Sequence, residues 1–452
     1  MRSQSAREAV IFLHPTIKDN RLKGGKAVRQ MIAQATAGSK QSLPPPERQT
    51  TYKLLTEQQK APFCRQHKNQ RHRIINMIYF DNSSTTKPSE GCIAAVGSAL
   101  GNTWGNPSSL HSLGIRAEEV INGARDALAK ALSCRSDEIF FTSGGTESNN
   151  LAVIGGARAM KRRGNRVVST AVEHHSLLAS LEQLQSEGFE VIKLKPDRYG
   201  HISEDDIRAA VTENTVLVSI MTVNNETGAI FPVSSVRKIV KDAGSPALIH
   251  TDAVQAFGKV RLNAKELGVD LMSVSAHKVH GPKGVGALYR SSSAHILPIL
   301  YGGGQEKGIR NGTEPVPAIA GFGAAVSEMR PERNIGRIAE LNRYIRDRLR
   351  ALGGIEINSP DDALPYILNI SVPGYRSETL LHYLEARDIF VSSGSACAKG
   401  VTSHVLGAME LSKERAESAL RLSFSDDNTK EEADAFIEAL TSAKATLRKA
   451  GR

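Results

Sequence analysis

From about residue 138 onward, short β-rich runs alternate with helical stretches, and this alternation limits the possible folds more than any other feature. The run "EIFFTS" is followed by a glycine turn and the helical stretch "TESNNLAVIGGARAMKRRG". The pairs "RVVST" with "HHSLLASLEQLQSEG" and "VLVSIMTV" with "VSSVRKIVKDAG" repeat this unit, and "PALIHTD" and "VDLMSVSAHK" supply further strands. Such alternation predicts an α/β domain with a mainly parallel sheet.

After about residue 315 the pattern changes to long helical stretches mixed with the short runs "YILNISV", "IFVSS" and "ALRLSFS". This mixture predicts a smaller α+β domain. A chain of 452 residues is long enough for more than one domain. We therefore predict an N-terminal arm and a large α/β domain over residues 77–315, and a small α+β domain over residues 316–452.

The first 76 residues differ in charge from the rest of the chain. They carry 15 Lys and Arg against 4 Asp and Glu, whereas the remaining residues carry 43 of each. The segment is polar and basic with little periodicity, a composition typical of disorder. A transit peptide and a nucleic-acid-binding arm are two alternatives, although aromatic residues are almost absent from it. We favour a third interpretation, in which residues 1–76 are no functional part of the protein and need not be translated.

The cysteines and the hydropathy pattern indicate the compartment. The four cysteines are widely spaced and form no CxxC pair, which argues against a disulfide framework or a zinc knuckle; they are Cys64, Cys92, Cys134 and Cys397. No apolar run approaches the ~18–20 residues that a membrane span needs. We therefore expect no membrane association and a cytoplasmic protein, or one of an organelle matrix if residues 1–76 are a transit peptide.

Polar residues with distinctive chemistry follow several predicted strands, and in open α/β sheets ligands bind beyond the carboxyl ends of the strands. Gly144-Gly145-Thr146 follows "EIFFTS" and could close backbone N–H groups around a phosphate. Asp252 ends "PALIHTD", with Gln255 close behind, and Ser275 to Lys278 end the next strand. A lysine, an acidic residue and a phosphate site together are what pyridoxal phosphate requires.

A set of longer motifs occurs in one order along the chain. They are "YFDNSSTT", "GNPSSLH", "FTSGGTESNN", "EHHS", "VNNETG", "HTDAVQ", "SAHKVHGPKGVGALY", "GGGQEKGIRNGT" and "SSGSACA". Together they resemble the cysteine desulfurases of the class V aminotransferase family, which serve iron–sulfur cluster assembly and tRNA thiolation. The resemblance covers the chain from about residue 78 to the C-terminus. It implies a pyridoxal-phosphate-dependent transferase of fold type I, with a mainly parallel seven-stranded sheet in the large domain.

The resemblance also implies roles for individual residues. Lys278 would form the Schiff base with pyridoxal phosphate and remove the substrate's Cα proton, and Asp252 would keep the pyridine nitrogen protonated. His174 would stack on the ring, and Gln255 would bond its hydroxyl group. The phosphate would be bound by Gly145, Thr146, Ser275 and His277, with Thr313 reaching in from the second subunit of a homodimer. The carboxylate of the substrate, L-cysteine, would be held by Asn225, which also contacts the cofactor, and by the planar fork of Arg421.

Within the same resemblance, Cys397 is the nucleophile. It lies in "SSGSACAKG", a stretch rich in glycine and serine whose backbone is free to move. It would attack the substrate sulfur, leaving L-alanine and a persulfide that passes to an iron–sulfur scaffold or a tRNA thiolation enzyme. An unperturbed thiol has a pKa near 8.5, so a positive group such as Lys399 or a pocket histidine would have to favour the thiolate. Cys397 would bind metal only if a transferred iron–sulfur cluster were held transiently.

Other interpretations remain open. A selenocysteine lyase, an aminotransferase or another class V enzyme would keep Lys278 and Asp252, but neither aminotransfer nor simple β-elimination needs a mobile thiol. A nucleic-acid-binding protein that uses the basic segment is an alternative from a different class, although we expect no direct nucleic-acid contact. The pairs His174–His175 and His277/His280 lack a third ligand at helical spacing, which argues against a metal site.

Three further features bear on the resemblance. Ser425 and Asp426 stand where the family commonly has glycine and arginine. The segment between Cys397 and "SHVLGAME" is also short beside the long-loop form, which could restrict the choice of acceptor. Cys92 and Cys134 lie in helical-looking surroundings, where we expect them to act as inert small hydrophobic residues.

Overall fold

The computed structural model describes residues 77–393 and 403–449. The helices are α1 (Glu90–Asn102), α2 (Ser112–Leu132), α3 (Gly145–Asn150), α4 (Gly156–Met160), α5 (His175–Ser186), α6 (Glu204–Ala210), α7 (Val233–Asp242), α8 (Val316–Glu328), α9 (Pro331–Leu352), α10 (Ser377–Glu385), α11 (His404–Ala408), α12 (Lys413–Glu417) and α13 (Lys430–Thr446). The strands are β1 (Ile78–Tyr79), β2 (Ile139–Thr142), β3 (Arg166–Thr170), β4 (Glu190–Leu194), β5 (Thr215–Ser219), β6 (Leu248–Asp252), β7 (Leu271–Ser275), β8 (Gly286–Arg290), β9 (Glu356–Ile357), β10 (Ile367–Ser371), β11 (Ile389–Phe390), β12 (Ser392–Ser393) and β13 (Ala419–Ser423).

The larger sheet has seven strands in the order β2-β8-β7-β6-β5-β3-β4. Neighbouring strands from β7 to β4 run parallel, whereas β8 runs antiparallel to both β2 and β7. The α/β class and the mainly parallel seven-stranded sheet are therefore confirmed. Because β2 and β7 are both antiparallel to β8, β2 ends at the same edge as the parallel strands, so the residues that follow these strands are brought together there.

Burial explains why these segments form a covered sheet. Every residue of β5, β6 and β7 is buried, as expected for parallel strands with helices on both faces. The covering helices bury one stripe each, and in α7 the buried residues are Val233, Val236, Ile239 and Val240. This spacing of three to four residues places the apolar side chains on one helix face.

The stretch predicted as one helix after β2 is interrupted. It forms α3, one π-helical turn over Leu151–Gly155, and then α4, which ends at Met160. The interruption coincides with a close contact, because the Leu297 N–H donates to the Gly155 carbonyl at 3.1 Å. A Cβ on Gly155 would lie 2.3 Å from the Leu297 carbonyl oxygen, so only glycine fits there.

The second sheet is antiparallel and has the strand order β12-β13-β10-β9. Helices α9, α10 and α13 pack together beside it and supply much of its buried apolar surface. The chain from residue 77 returns to this sheet, because β1 pairs with β11 and Asp81 forms a bridge with Ser423. A separate antiparallel-sheet domain is thus present, whereas the boundaries 1–76, 77–315 and 316–452 stay predictions. No helix in the described ranges is long and apolar enough to cross a membrane.

Candidate active site

A cavity of about 630 Å³ lies at the carboxyl edge of the seven-stranded sheet. Asp252 and Ser275 are the last residues of β6 and β7, and Lys278 ends the single 3-10 turn that follows β7. The sequence-predicted residues that line this cavity are Gly145, Thr146, His174, Asn225, Asp252, Gln255, Ser275, His277, Lys278 and Arg421. The structure therefore brings together all but two of the predicted site residues.

The two exceptions are Thr313 and Cys397. Thr313 is exposed and does not line the cavity of its own chain, so its contribution from a second subunit stays a prediction. Cys397 and Lys399 lie outside the described residues. No group of three or more potential metal ligands occurs among the residues that are described.

One end of the cavity has the features of a phosphate site. The Ser275 hydroxyl is buried and has no hydrogen-bond partner within the described ranges. Gly144 has a φ of 152°, and a Cβ on Gly145 would approach the Val254 side chain to 2.9 Å, so this turn requires small residues. Burial lowers the pKa of His277 to about 4, which leaves a neutral imidazole beside these donors. An unpaired buried hydroxyl is costly unless a ligand completes its hydrogen bond.

Asp252 is held as a rigid acceptor in the floor of the cavity. Its Oδ2 accepts from Asn149 Nδ2 at 2.7 Å, and its Oδ1 accepts from the Val254 N–H at 2.9 Å. Asn149 is fully buried and also donates to Ser176. The carboxylate is therefore fixed in place and can hold the protonated nitrogen of a pyridine ring.

Lys278 reaches into the cavity from the turn that follows β7, the strand next to β6. Its Nζ donates to the carbonyl oxygens of Ser83 and Ser84, at 2.5 and 2.8 Å. Gln255 Nε2 donates to the same Ser83 carbonyl at 3.0 Å. Together with Asp252 and the small-residue turn at Gly145, these groups fit the ring nitrogen, hydroxyl, aldehyde and phosphate of pyridoxal phosphate.

His174 caps helix α5 and forms one wall of the cavity. Its Nδ1 contacts the Ser176 hydroxyl at 2.8 Å and accepts from the Ser176 N–H at 3.2 Å. Burial lowers the pKa of His174 below its ordinary value, so the ring is neutral at physiological pH. A neutral ring fixed by the cap is suited to stack on an aromatic cofactor.

Arg421 projects from β13 of the smaller sheet and is almost completely buried. Its Nη2 donates to Asp81 Oδ1 at 2.9 Å and to Ser84 Oγ at 2.6 Å, and its Nη1 donates to the Asn225 carbonyl at 3.0 Å. Its Nε has no hydrogen-bond partner within the described ranges. The guanidinium is thus held in one orientation while part of its donor capacity remains for an anion.

Comparisons with known proteins agree with this site. The family model of the class-V aminotransferases matches residues 78–436. The chain belongs to the class-V aminotransferase family. The cysteine desulfurase IscS of Clostridium botulinum is 40% identical over 371 residues, which are 80% of this chain and 93% of that protein.

Two solved structures resemble this class-V protein closely. A NifS-like protein has a TM-score of 0.78 at 36% identity, covering 82% of this chain and all of that chain. SspA in complex with cysteine has a TM-score of 0.69 at 30% identity, covering 78% of this chain and all of that chain. The predicted family, the cysteine desulfurases among the class-V aminotransferases, is confirmed.

Class-V members depend on pyridoxal phosphate, so the cofactor prediction is confirmed as well.

The departure from the family pattern at Asp426 has a structural use in this class-V chain. Its carboxylate accepts from the Tyr366 hydroxyl at 2.8 Å and from Asn334 Nδ2 at 2.6 Å, which joins the end of β13 to α9.

Sequence reasoning missed several residues of the site. Asn149 and the carbonyls of Ser83 and Ser84 lie in motifs that carried the resemblance, but no role had been given to them. Glu226 and Ser403 also line the cavity, and Ser403 Oγ donates to Glu226 Oε2 at 2.5 Å. Backbone carbonyls leave no signal in a sequence, whereas the acid in "VNNETG" is a signal that could have been followed.

Proposed function

We propose that this class-V chain is a pyridoxal-phosphate-dependent cysteine desulfurase. It converts L-cysteine and the thiol of Cys397 into L-alanine and a persulfide on Cys397. The C–S bond of the substrate breaks and an S–S bond forms, so no external oxidant or reductant is needed. One observation carries the proposal most strongly: Lys278, Asp252 and Arg421 meet in one cavity, and Ser403 of the same cavity follows directly on the segment that contains Cys397.

Pyridoxal phosphate, when bound, supplies the electron sink that stabilises negative charge at the substrate's Cα. Asp252 keeps its ring nitrogen protonated, because Asn149 and the Val254 N–H hold the carboxylate in place. Ser275 and His277 bind its phosphate. Lys278 Nζ holds the proton taken from Cα and returns it to the product, and a general base of this kind contributes about 10²–10⁴-fold to a rate.

Arg421 orients the substrate through its carboxylate. Its contacts with Asp81, Ser84 and the Asn225 carbonyl fix the guanidinium plane before the substrate arrives. Prior fixation reduces the entropy that binding would otherwise cost. Arg421 would thereby hold the substrate by its carboxylate in the cavity that Lys278 also lines.

Cys397 is the thiol that we assign to sulfur transfer. The two free cysteines described by the structure are poor candidates, because burial raises the pKa of Cys92 and raises that of Cys134 to about 12. A thiol that remains protonated is a weak nucleophile. Cys397 would become a metal ligand only if a transferred iron–sulfur cluster were held there transiently.

We further propose that the enzyme is a homodimer in the cytoplasm. Large apolar side chains are strongly exposed in this single chain, with Trp104, Leu110 and Tyr301 at 68%, 96% and 84%. A dimer interface would cover such side chains, and Thr313 would reach the partner's phosphate across it. The sulfur acceptor is an iron–sulfur scaffold or a tRNA thiolation enzyme. A monomer in light scattering that turns over cysteine would contradict the dimer.

Substitution of the proposed nucleophile tests the function. The Cys397→Ser variant should bind pyridoxal phosphate, change its absorbance on addition of L-cysteine and exchange the Cα proton with solvent. It should form no persulfide and almost no alanine, because an alcohol is a far poorer nucleophile than a partly ionised thiol. The matched control Cys134→Ser should retain full activity. Alanine formation by Cys397→Ser at a near-normal rate would favour a selenocysteine lyase or a related class-V enzyme instead.

A further inference from the structure

Lys259 is a buried lysine to which the proposed reaction gives no role. Only 6% of the residue is exposed, and its Nζ donates to the backbone carbonyl of Gln255 at 3.0 Å and to the side-chain Oε1 of Gln255 at 3.2 Å. In the part of the chain that the structure describes, no carboxylate forms an ion pair with it, although Asp426 acts on it at longer range. Burying an ammonium group without a counter-ion costs free energy of folding, so we expect a function that explains the burial of Lys259.

The contacts of Lys259 fix the orientation of the Gln255 amide. In its protonated form Lys259 can only donate, so Gln255 must then turn its Oε1 toward Lys259 and its NH2 group away from it. That NH2 group donates to the Ser83 carbonyl at 3.0 Å, and the same carbonyl accepts from Lys278 Nζ. A flipped amide would place two donors against each other at Lys259. A continuous row of hydrogen bonds therefore joins Lys259 to Lys278 through Gln255 and Ser83.

Lys259 also belongs to a second cavity of about 440 Å³, which Lys278 lines as well. Burial, together with the charges of Lys278 and Arg421, lowers the pKa of Lys259 to about 7, while the charge of Asp426 acts in the opposite direction. Charge interactions are mutual, so a cationic Lys259 favours the uncharged form of the nitrogen on Lys278. The other charged or titratable groups of this cavity are Lys87, Glu90, His280, Glu328, Arg330, Tyr366 and Asp427.

We propose that Lys259 is a positioning residue for the cofactor site: it fixes the Gln255 amide as a donor toward the cavity and places a cationic group beside Lys278. The inference rests on the proposed function, because the role of Gln255 at the ring hydroxyl belongs to that function. Lys259 does not itself line the cofactor cavity, so it would act on the cofactor only through the orientation of the Gln255 amide and through its charge.

The test uses the full chain without substrate. Pyridoxal phosphate is titrated into apo-protein to measure its dissociation constant, and the visible absorbance of the loaded protein is followed against pH. Lys259→Met should weaken cofactor binding about 10-fold, the size of one charge-assisted hydrogen bond. It should also raise the pH midpoint of the absorbance change by about 0.5–1 unit, because a nearby positive charge is lost. The control Lys87→Met, on the wall of the same second cavity, should leave the affinity within about 2-fold.

A second substitution shows whether Lys259 acts through the amide. In a Gln255→Met background, Lys259→Met should no longer change cofactor affinity. An equal loss of affinity in both backgrounds would overturn the inference, as would a Lys259→Met protein with lower thermal stability but unchanged affinity and midpoint. If Lys259→Met does not accumulate, Lys259→Gln retains an N–H donor and should keep the affinity while still shifting the midpoint.

The same measurements separate this inference from the proposed function. A wild-type protein that binds no pyridoxal phosphate refutes the function itself. A wild-type protein that binds it, beside a Lys259→Met variant that is indistinguishable in affinity and in midpoint, refutes only the role of Lys259.

Discussion

The two sheets contribute to the cavity in different ways. The seven-stranded sheet presents Asp252 and Ser275 from adjacent strand ends, where short turns and complete burial leave their positions little freedom. The four-stranded antiparallel sheet contributes Arg421 from β13, and that guanidinium is held by residues from outside its own sheet. Asp252 and Ser275 thus come from adjacent strand ends of one sheet, whereas the substrate group comes from the other sheet. We therefore expect that substitutions on one sheet can abolish cofactor binding or substrate recognition without affecting the other.

Several hydrogen bonds join the two regions near the cavity. Asn369 Nδ2 donates to the Glu226 carbonyl at 3.2 Å, and the Leu364 N–H donates to the Gly228 carbonyl at 2.8 Å. The Ser403 hydroxyl donates to the Glu226 carboxylate. Hydrogen bonds depend on direction as well as distance, so these contacts fix the relative placement of Arg421 and the cofactor groups.

Loss of the cofactor lysine should have the largest effect and should affect only the large-sheet side of the comparison. Lys278→Ala is expected to lower alanine formation at least about 10⁴-fold, because it removes both the covalent link to the cofactor and the general base. Weaker, non-covalent cofactor binding should persist through Asp252 and Ser275. Activity and cofactor absorbance measure the two parts. The control Lys283→Ala removes an exposed lysine nearby and should have no effect on either measurement. If Lys278→Ala forms alanine at a rate within about 100-fold of the wild type, the role assigned to Lys278 is wrong.

Loss of the substrate arginine should affect only the small-sheet side. Arg421→Met is expected to raise the KM for L-cysteine roughly 10²-fold, which corresponds to a charge-assisted hydrogen-bond pair. The cofactor dissociation constant should stay unchanged. Steady-state kinetics and cofactor titration give the two values, and Asp81→Asn, which keeps the guanidinium, serves as the control. A parallel loss of cofactor affinity would show that the two regions are not separable.

The contact at Glu226 should make stability depend on pH. Burial raises the pKa of Glu226 to about 7, above its value in the unfolded chain, although the Ser403 hydroxyl and Arg421 lower it in part. The unfolded chain therefore loses its proton first, and stability falls as the pH rises from about 4.5 to about 7, by up to about 1.4 kcal/mol per pH unit. Glu226→Gln keeps an acceptor for Ser403 and should remove this dependence. If the melting temperature changes equally between pH 5 and pH 7.5 in the wild type and in Glu226→Gln, the predicted role of Glu226 is wrong.

The central part of the fold was predictable, and its edges were not. Strands β5, β6 and β7 are buried along their whole length because both faces of the sheet are covered, and the apolar residues in each of them are visible in a sequence. Strand β4 has no fully buried residue, and β8 begins at a glycine after a glycine- and proline-rich turn, so neither showed a clear strand pattern. The π-helical turn before α4 depends on a contact with Leu297, far along the chain, which local patterns do not record.

The site also has parts that the sequence predicts and parts that it does not. Asp252, Ser275 and Lys278 were predictable because parallel strands end at one edge of a sheet. The contacts that hold them were not, since Asn149 is one amide among many and the Ser83 carbonyl carries no side-chain signal. The orientation of Arg421 depends on Asp81, a residue of the arm that is distant in the sequence.

The smallest effect is expected from removal of residues 1–76. A chain that begins at Met77 keeps strand β1 and the Phe80 ring, which packs at centroid distances of 5.3 and 6.1 Å against the rings of Phe424 and Phe436. We expect it to bind pyridoxal phosphate and to form alanine at the full-length rate, because the excess positive charge lies entirely before residue 77. A chain that begins at Asn82 is the matched comparison: it loses β1 and Phe80, and burial of a phenylalanine of this kind is worth about 3–5 kcal/mol. Cofactor content, rate and thermal melting measure all three chains. Equal melting of the two shortened chains would show that the arm does not hold the small sheet, and a loss of rate on cutting at Met77 would give residues 1–76 a role in catalysis.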